Sequence, residues 1–187
     1  GAVSQQFEFI FLIDRSNSMD WRSGRDTEPP IRRAAAALQL FLRSLPAACR
    51  LNIVGFGSQS ASLWPAPVAY SEASLAEASA HASVLRADMG GTELLCPLTQ
   101  ILASAPPDGF ERRVIVLTDG AVSNTDGVLR HVRGRASLCR TRISPHQTPH
   151  LRVAVASAFQ RRHMHRGEDY VDVLKKSIKL HGKRRVL

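Results

Sequence analysis

Two carboxylates and three hydroxyls in this chain are spaced as a cation site would need them. Asp14, Ser16 and Ser18 alternate within Asp14-Arg15-Ser16-Asn17-Ser18. Thr92 follows Gly90 and Gly91, and Asp119 lies within Thr118-Asp119-Gly120. All five offer oxygen, the donor that hard cations select, so Mg²⁺ suits them and Mn²⁺ or Ca²⁺ could replace it. The hydroxyls bring no negative charge, which leaves part of the ion's charge unneutralised. Mg²⁺ takes six ligands, so such a set also leaves room for water or for a carboxylate from a partner. Arg15, Arg22 and Arg25 add positive field favouring an acidic ligand, and Met19, Trp21 and Glu93 are candidates for the surrounding rim.

These residues need a scaffold that brings them to one edge. Residues 7–13 form a nearly continuous apolar run, as expected of a strand buried on both faces of a parallel sheet. Pro29 and Pro30 open a helical pattern through Ile31, Ala34, Ala35, Leu38, Leu42 and Leu45, and Pro46 stops it. The alanines of 33–37 suit close packing of that helix on the sheet. Residues 51–57 read as a second strand ending in glycines, and residues 63–69 as a short edge strand carrying Pro65 and Pro67. Ser74 and Glu77 have capping-box spacing for a helix with Leu75, Ala78, Ala82 and Leu85 inside. A further helix carries Leu94, Leu95, Leu98, Ile101 and Leu102. Pro106 to Gly109 predict a turn, residues 114–117 a third core strand, and Val128, Leu129 and Val132 one more short helix. Strands alternating with helices imply an α/β fold with a doubly wound, mostly parallel sheet flanked by helices. Ligands bind such sheets at the carboxyl ends of the strands, where strand order reverses.

The pattern Asp-x-Ser-x-Ser after a buried strand, Gly-Gly-Thr downstream and Thr-Asp-Gly after a later strand resembles the metal-ion-dependent adhesion site of the von Willebrand factor A domain. The resemblance implies coordination by Asp14, Ser16, Ser18, Thr92 and Asp119, the last directly or through water. It also implies a protein-binding module without catalysis, whose partner presents an Asp or Glu carboxylate to the metal. The stretches Glu8 to Ser16 and Met89 to Leu95 resemble the domain-containing protein 5 group of that family, its B type in particular. Asn17 stands where the family commonly has glycine, and Asn tolerates a left-handed backbone better than most residues. The resemblance spans roughly residues 7–138; the family's later strands are not recognisable beyond it.

Composition divides the chain at the same place. The 187 residues, 44% apolar, suit one domain with its own core. Residues 1–138 hold thirteen arginines and thirteen acids and no lysine, while residues 139–187 hold eight arginines and four lysines against three acids, which is the whole net charge of +9. The first segment is the expected domain. The second is a basic, histidine-rich tail expected to be divergent or only partly ordered, with a possible strand at 150–156 and a helical face through Tyr170, Val171, Val173, Leu174 and Ile178. Its basic residues lack interleaved aromatics apart from Phe159 and Tyr170, so only non-specific phosphate attraction would follow, and nucleic acid is not the expected partner.

Other chemistries fit less well. A metal-dependent hydrolase or phosphotransferase on the same sheet is the alternative; a phosphotransfer enzyme with Asp14 as nucleophile would want a second carboxylate where Ser16 stands and a lysine in the body, and residues 1–138 hold no lysine. Gly55-Phe56-Gly57-Ser58 lacks the pattern of a nucleotide loop and reads as a tight strand exit. Cys49, Cys96 and Cys139 match no disulfide or zinc spacing and read as buried free thiols, which favours a reducing compartment. No apolar run reaches the roughly 18 residues of a membrane span.

Overall fold

A computed structural model describes residues 6–22 and 28–119 and the backbone of 152–157. Five strands follow one path across a sheet, and a sixth lies beside it. In chain order the strands are β1 (Gln6–Asp14), β2 (Cys49–Phe56), β3 (Ser60–Ser62), β4 (Val68–Ala69), β5 (Phe110–Thr118) and β6 (Arg152–Ser157), and the helices are α1 (Pro30–Arg43), α2 (Glu72–Ser83) and α3 (Leu95–Ala103). The path is β3-β2-β1-β5-β6, with β4 also paired to β2. Strands β2, β1, β5 and β6 are parallel, while β3 and β4 run antiparallel to β2. The expected doubly wound, mostly parallel sheet is therefore present.

Strand β1 is central, and Glu8 to Asp14 are all buried, as its nearly continuous apolar run leads one to expect. Alternation sorts its side chains. Phe9, Phe11 and Ile13 join Leu51, Ile53, Ile115 and Leu117 beneath α1 and α2. Ile10 and Leu12 join Val54, Phe56, Val114 and Val116 beneath α3. The alanines of α1 do bring it close: Ala34, Ala35 and Ala37 are buried, and Phe41 stacks on Phe11 with ring centroids 6.0 Å apart. Fully buried side chains such as Leu38 and Leu42 stabilise the fold by about 1.5–3 kcal/mol each.

The chain steps from β1 to β2 on one side and returns to β5 on the other. Strand order thus reverses at β1, and the carboxyl ends of β1 and β5 flank the switch point. The register pairs Ile13 with Leu117, which brings Asp14 level with Thr118.

Local departures from expectation have local causes. Of the edge strand expected over 63–69 only β4, Val68–Ala69, forms, and β3 precedes the expected range at Ser60–Ser62. Between them the buried side chain of Asn52 replaces a ladder partner: its Nδ2 donates to Trp64 O at 2.9 Å, and its Oδ1 accepts from Trp64 N at 3.3 Å. The capping box of α2 is Ser71 with Ser74, not Ser74 with Glu77; Ser74 N donates to Ser71 Oγ, and Ser71 N to Ser74 Oγ. Asn17 opens a 3₁₀ turn, Asn17–Asp20, a right-handed conformation in which the expected left-handed backbone is not used. Cys49 is buried, and burial pushes its thiol up to about 11, whereas Cys96 is exposed, against expectation. The strand expected at 150–156 forms as β6. The helix expected near 128–132, Cys139 and the remainder of the tail lie outside the described residues, as does Arg25.

Strand β5 begins earlier than its apolar stretch because its first charges are buried in pairs. Glu8 faces Arg50 on one neighbouring strand and Arg112 on the other. Arg112 Nε donates to Glu8 Oε1 at 2.6 Å, and its other end binds the carbonyls of Ile101 in the last turn of α3 and of Ser104 just past it. On the opposite face Arg113 lies 4.0 Å from the Phe7 ring centroid and pairs with Glu111. A register slip of one residue would strand these charges in an apolar layer.

Two expectations follow. Glu8→Gln leaves Arg112 buried without its counter-charge, so urea unfolding should show a loss of roughly 3–5 kcal/mol; a loss within error of zero would contradict this account of the register. His81, half-buried in the last turn of α2, is held below its ordinary value of 6.5 by burial and secondarily by the charge of Arg15. The unfolded chain therefore takes up the proton first. This contribution to stability is complete above pH 6.5 and is lost as pH falls from there towards the folded-state value. Unfolding curves between pH 7.5 and pH 5.5 should show that loss, and His81→Gln should flatten it.

Candidate functional site

The site begins with a carboxylate at the end of the central strand. Asp14 is fully buried. Its Oδ1 accepts from Ser16 N at 2.9 Å and its Oδ2 from the Thr118 hydroxyl at 2.6 Å. Both donors are neutral, and among the described residues no arginine reaches Asp14. Two residues on, the chain turns, and Ser16 Oγ and Ser18 Oγ stand 3.0 Å apart, the first buried and the second half-buried. The 3₁₀ turn allows this: it doubles back so that Met19 N bonds Ser16 O and Trp21 N bonds Ser18 O.

The Gly-Gly-Thr loop is carried to the same edge by backbone bonds. Asn17 N donates to Gly90 O at 2.8 Å, and Met89 N to Arg15 O at 2.9 Å. Gly90 has φ +79°, a conformation that favours glycine. A third loop, after β2, locks the other two. Ser58 N bonds Met89 O, Glu93 N bonds Gly57 O, and Gly91 N donates to Ser58 Oγ. A Cβ on Gly57 would lie 2.3 Å from Met89 O, so only glycine permits this approach. The Gly55-to-Ser58 stretch is accordingly a tight strand exit, as its residues suggested. Thr92 is half-buried on this loop, and half-buried Asp119 directly follows Thr118 at the end of β5.

Asp14, Ser16 and Ser18 are thus drawn together by hydrogen bonds. Thr92 and Asp119 sit on the loop and the strand that the same bonds secure. Among the described residues no three His, Cys, Asp or Glu side chains gather into a metal-binding group. The donor set here is instead two carboxylates and three hydroxyls, which is oxygen chemistry suited to Mg²⁺. A buried carboxylate whose donors among the described residues are neutral fits a cation beside it.

One expectation about the rim needs correction. Met19 is fully buried in the core, because the turn points it inward. The Arg15 side chain is engaged elsewhere: its Nε donates to Arg86 O at 2.9 Å and its Nη2 to Asp88 at 2.5 Å. Trp21, at 74% exposure, and Glu93 remain at the surface. Sequence reasoning assigned no role to Thr118 or Ser58. The available signal for Thr118 was a hydroxyl one position before Asp119, level with Asp14 across neighbouring parallel strands.

The family model of the von Willebrand factor type A domain matches residues 8–152. A human von Willebrand factor A domain-containing protein 5B1 is 46% identical over 129 residues, covering 69% of this chain and 10% of that protein. The mouse von Willebrand factor A domain-containing protein 5A is 40% identical over 128 residues, 67% of this chain and 16% of that protein. The matched region therefore makes up only a tenth to a sixth of these relatives. Among solved structures, a von Willebrand factor type A protein from Catenulispora acidiphila superposes with a TM-score of 0.59 at 16% identity, over 92% of this chain and 41% of that one. The conserved hypothetical protein BatB from Bacteroides thetaiotaomicron superposes with a TM-score of 0.62 at 17% identity, over 81% and 66%. Both structures are similar in fold. Together with the sheet order and the matched residues, this shows that the chain belongs to the von Willebrand factor type A domain family.

Proposed function

We propose that Asp14, Ser16, Ser18, Thr92 and Asp119 hold one divalent cation, Mg²⁺ with Mn²⁺ or Ca²⁺ able to replace it, and that the domain binds a protein partner there through an Asp or Glu side chain. The observation that carries the reading is the state of Asp14, a carboxylate removed from water whose donors among the described residues are all neutral. Burying an ionised carboxylate without a positive neighbour is expensive, and a cation offsets that cost. When bound, the ion supplies a partly unneutralised positive point able to take an acidic side chain.

The chain's own residues prepare this. Ser16 N–H and the Thr118 hydroxyl fix both oxygens of Asp14 and leave each a free lone pair. The Ser16 and Ser18 hydroxyls add oxygen without adding charge. Neither hydroxyl meets a histidine or lysine base among the described residues; they bond to each other, which favours binding over turnover. Trp21 stands exposed at the end of the 3₁₀ turn, where an aromatic side chain can anchor a partner. Membership of a family whose domains generally bind proteins supports the same reading.

Millimolar Mg²⁺ or Mn²⁺ should raise the melting temperature, by mass action worth about 2.7 kcal/mol at a hundred times Kd, and chelator should reverse the rise. Asp14→Asn should abolish the shift while leaving the metal-free domain as stable as the parent or more so, since it removes a buried charge and the Thr118 hydroxyl can turn to accept. No cation-dependent shift in the parent chain would refute the metal reading.

A further inference from the structure

Arg15 lies between two of the proposed ligands in sequence, yet its side chain leaves the site and crosses to another part of the chain. It runs over Gly55, where a Cβ would come within 2.7 Å of Arg15 Cδ, so the glycine makes its channel. Beyond Gly55, Nε donates to Arg86 O and Nη2 pairs with Asp88. Its backbone is committed as well: Arg15 N donates to Phe56 O, and Arg15 O accepts from Met89 N. One residue therefore grips the end of β2 and both sides of the segment leading into Gly90, Gly91 and Thr92. The Arg15 side chain is 17% exposed and that of Asp88 52%. A pair this wet contributes little to stability by itself, so its consequence is geometric.

From this we infer that Arg15 is a positioning residue that sets the distance between the Asp14-Ser16-Ser18 turn and Thr92, and so tunes cation affinity from outside the ligand set. The inference rests on the proposed metal site. It concerns how that site is assembled, not which residues touch the ion. Two physical effects of removing Arg15 act in opposite directions. The loss of a nearby positive charge should tighten cation binding. The loss of the grip on 86–88 should weaken it, because Thr92 no longer arrives preplaced; supports of this kind typically change metal affinity about ten- to a hundredfold.

The test is Mn²⁺ titration of the full 187-residue chain by calorimetry, comparing the parent with Arg15→Met and Arg15→Lys. Methionine keeps an unbranched stem over Gly55 and removes every donor. Lysine keeps the charge and can satisfy one acceptor. The expected result is a Kd about tenfold or more weaker for Arg15→Met, an intermediate value for Arg15→Lys, and faster hydrogen exchange at the Met89 and Gly91 amides of metal-free Arg15→Met. A purely structural role would lower the metal-free melting temperature and leave Kd in place. Arg15→Met binding as tightly as the parent or more tightly would overturn the inference while leaving the metal site standing. A parent chain that takes up no Mn²⁺ would overturn both. If Arg15→Met does not fold, Arg15→Lys with an unchanged Kd and unchanged exchange overturns the positioning role.

Discussion

The bond between the Thr118 hydroxyl and Asp14 joins the ends of the two strands where the sheet changes direction, and the candidate site is organised around it. It can form because β1 and β5 are parallel neighbours in a register that sets Asp14 level with Thr118. With one carboxylate oxygen held by β5 and the other by Ser16 N, the chain must turn at once. That turn brings the two serine hydroxyls together and offers Asn17 N to the glycine loop. Without the strand pairing, the same residues would be a polar loop of no defined chemistry.

The register depends in turn on the opposite end of the sheet. There Glu8 sits between Arg50 and Arg112, and Arg113 covers Phe7. Buried charges of this kind are costly unless they are paired, so they penalise every alternative alignment more than they stabilise the correct one. Apolar residues of similar size would tolerate a slip more readily. The ion pairs at the amino ends and the carboxylate at the carboxyl ends of β1 and β5 are thus two ends of one constraint, linked through the apolar layers of Phe9 to Ile13 and Val114 to Leu117.

Periodicity made much of this legible. The nearly continuous apolar run at 7–13 is typical of an inner strand, and helices α1 and α3 followed from apolar spacing and from Pro29 and Pro30. Local polar bonds were less visible. Asn52 binds Trp64 between β3 and β4 by imitating a peptide group, and Ser71 caps α2 in preference to Ser74; both depend on a neighbour that only the fold brings near. The charged start of β5 was hidden because Glu111, Arg112 and Arg113 read as surface until Glu8 and Phe7 are placed beside them. At the site, the five oxygen-bearing residues stood out by type and spacing. Thr118 acts through a hydrogen bond across the sheet and Ser58 through bonds to the glycine loop, and Met19 turns into the core, away from the rim that its position suggested.

The central claim is that Asp14 is buried in order to hold a cation. Crystals grown with Mn²⁺ test it most directly, through the anomalous difference map. The account predicts a single strong peak bounded by the Asp14 carboxylate and the Ser16 and Ser18 hydroxyls. A well-ordered Asp14 with no peak beside it, or with Mn²⁺ bound only elsewhere, would contradict it.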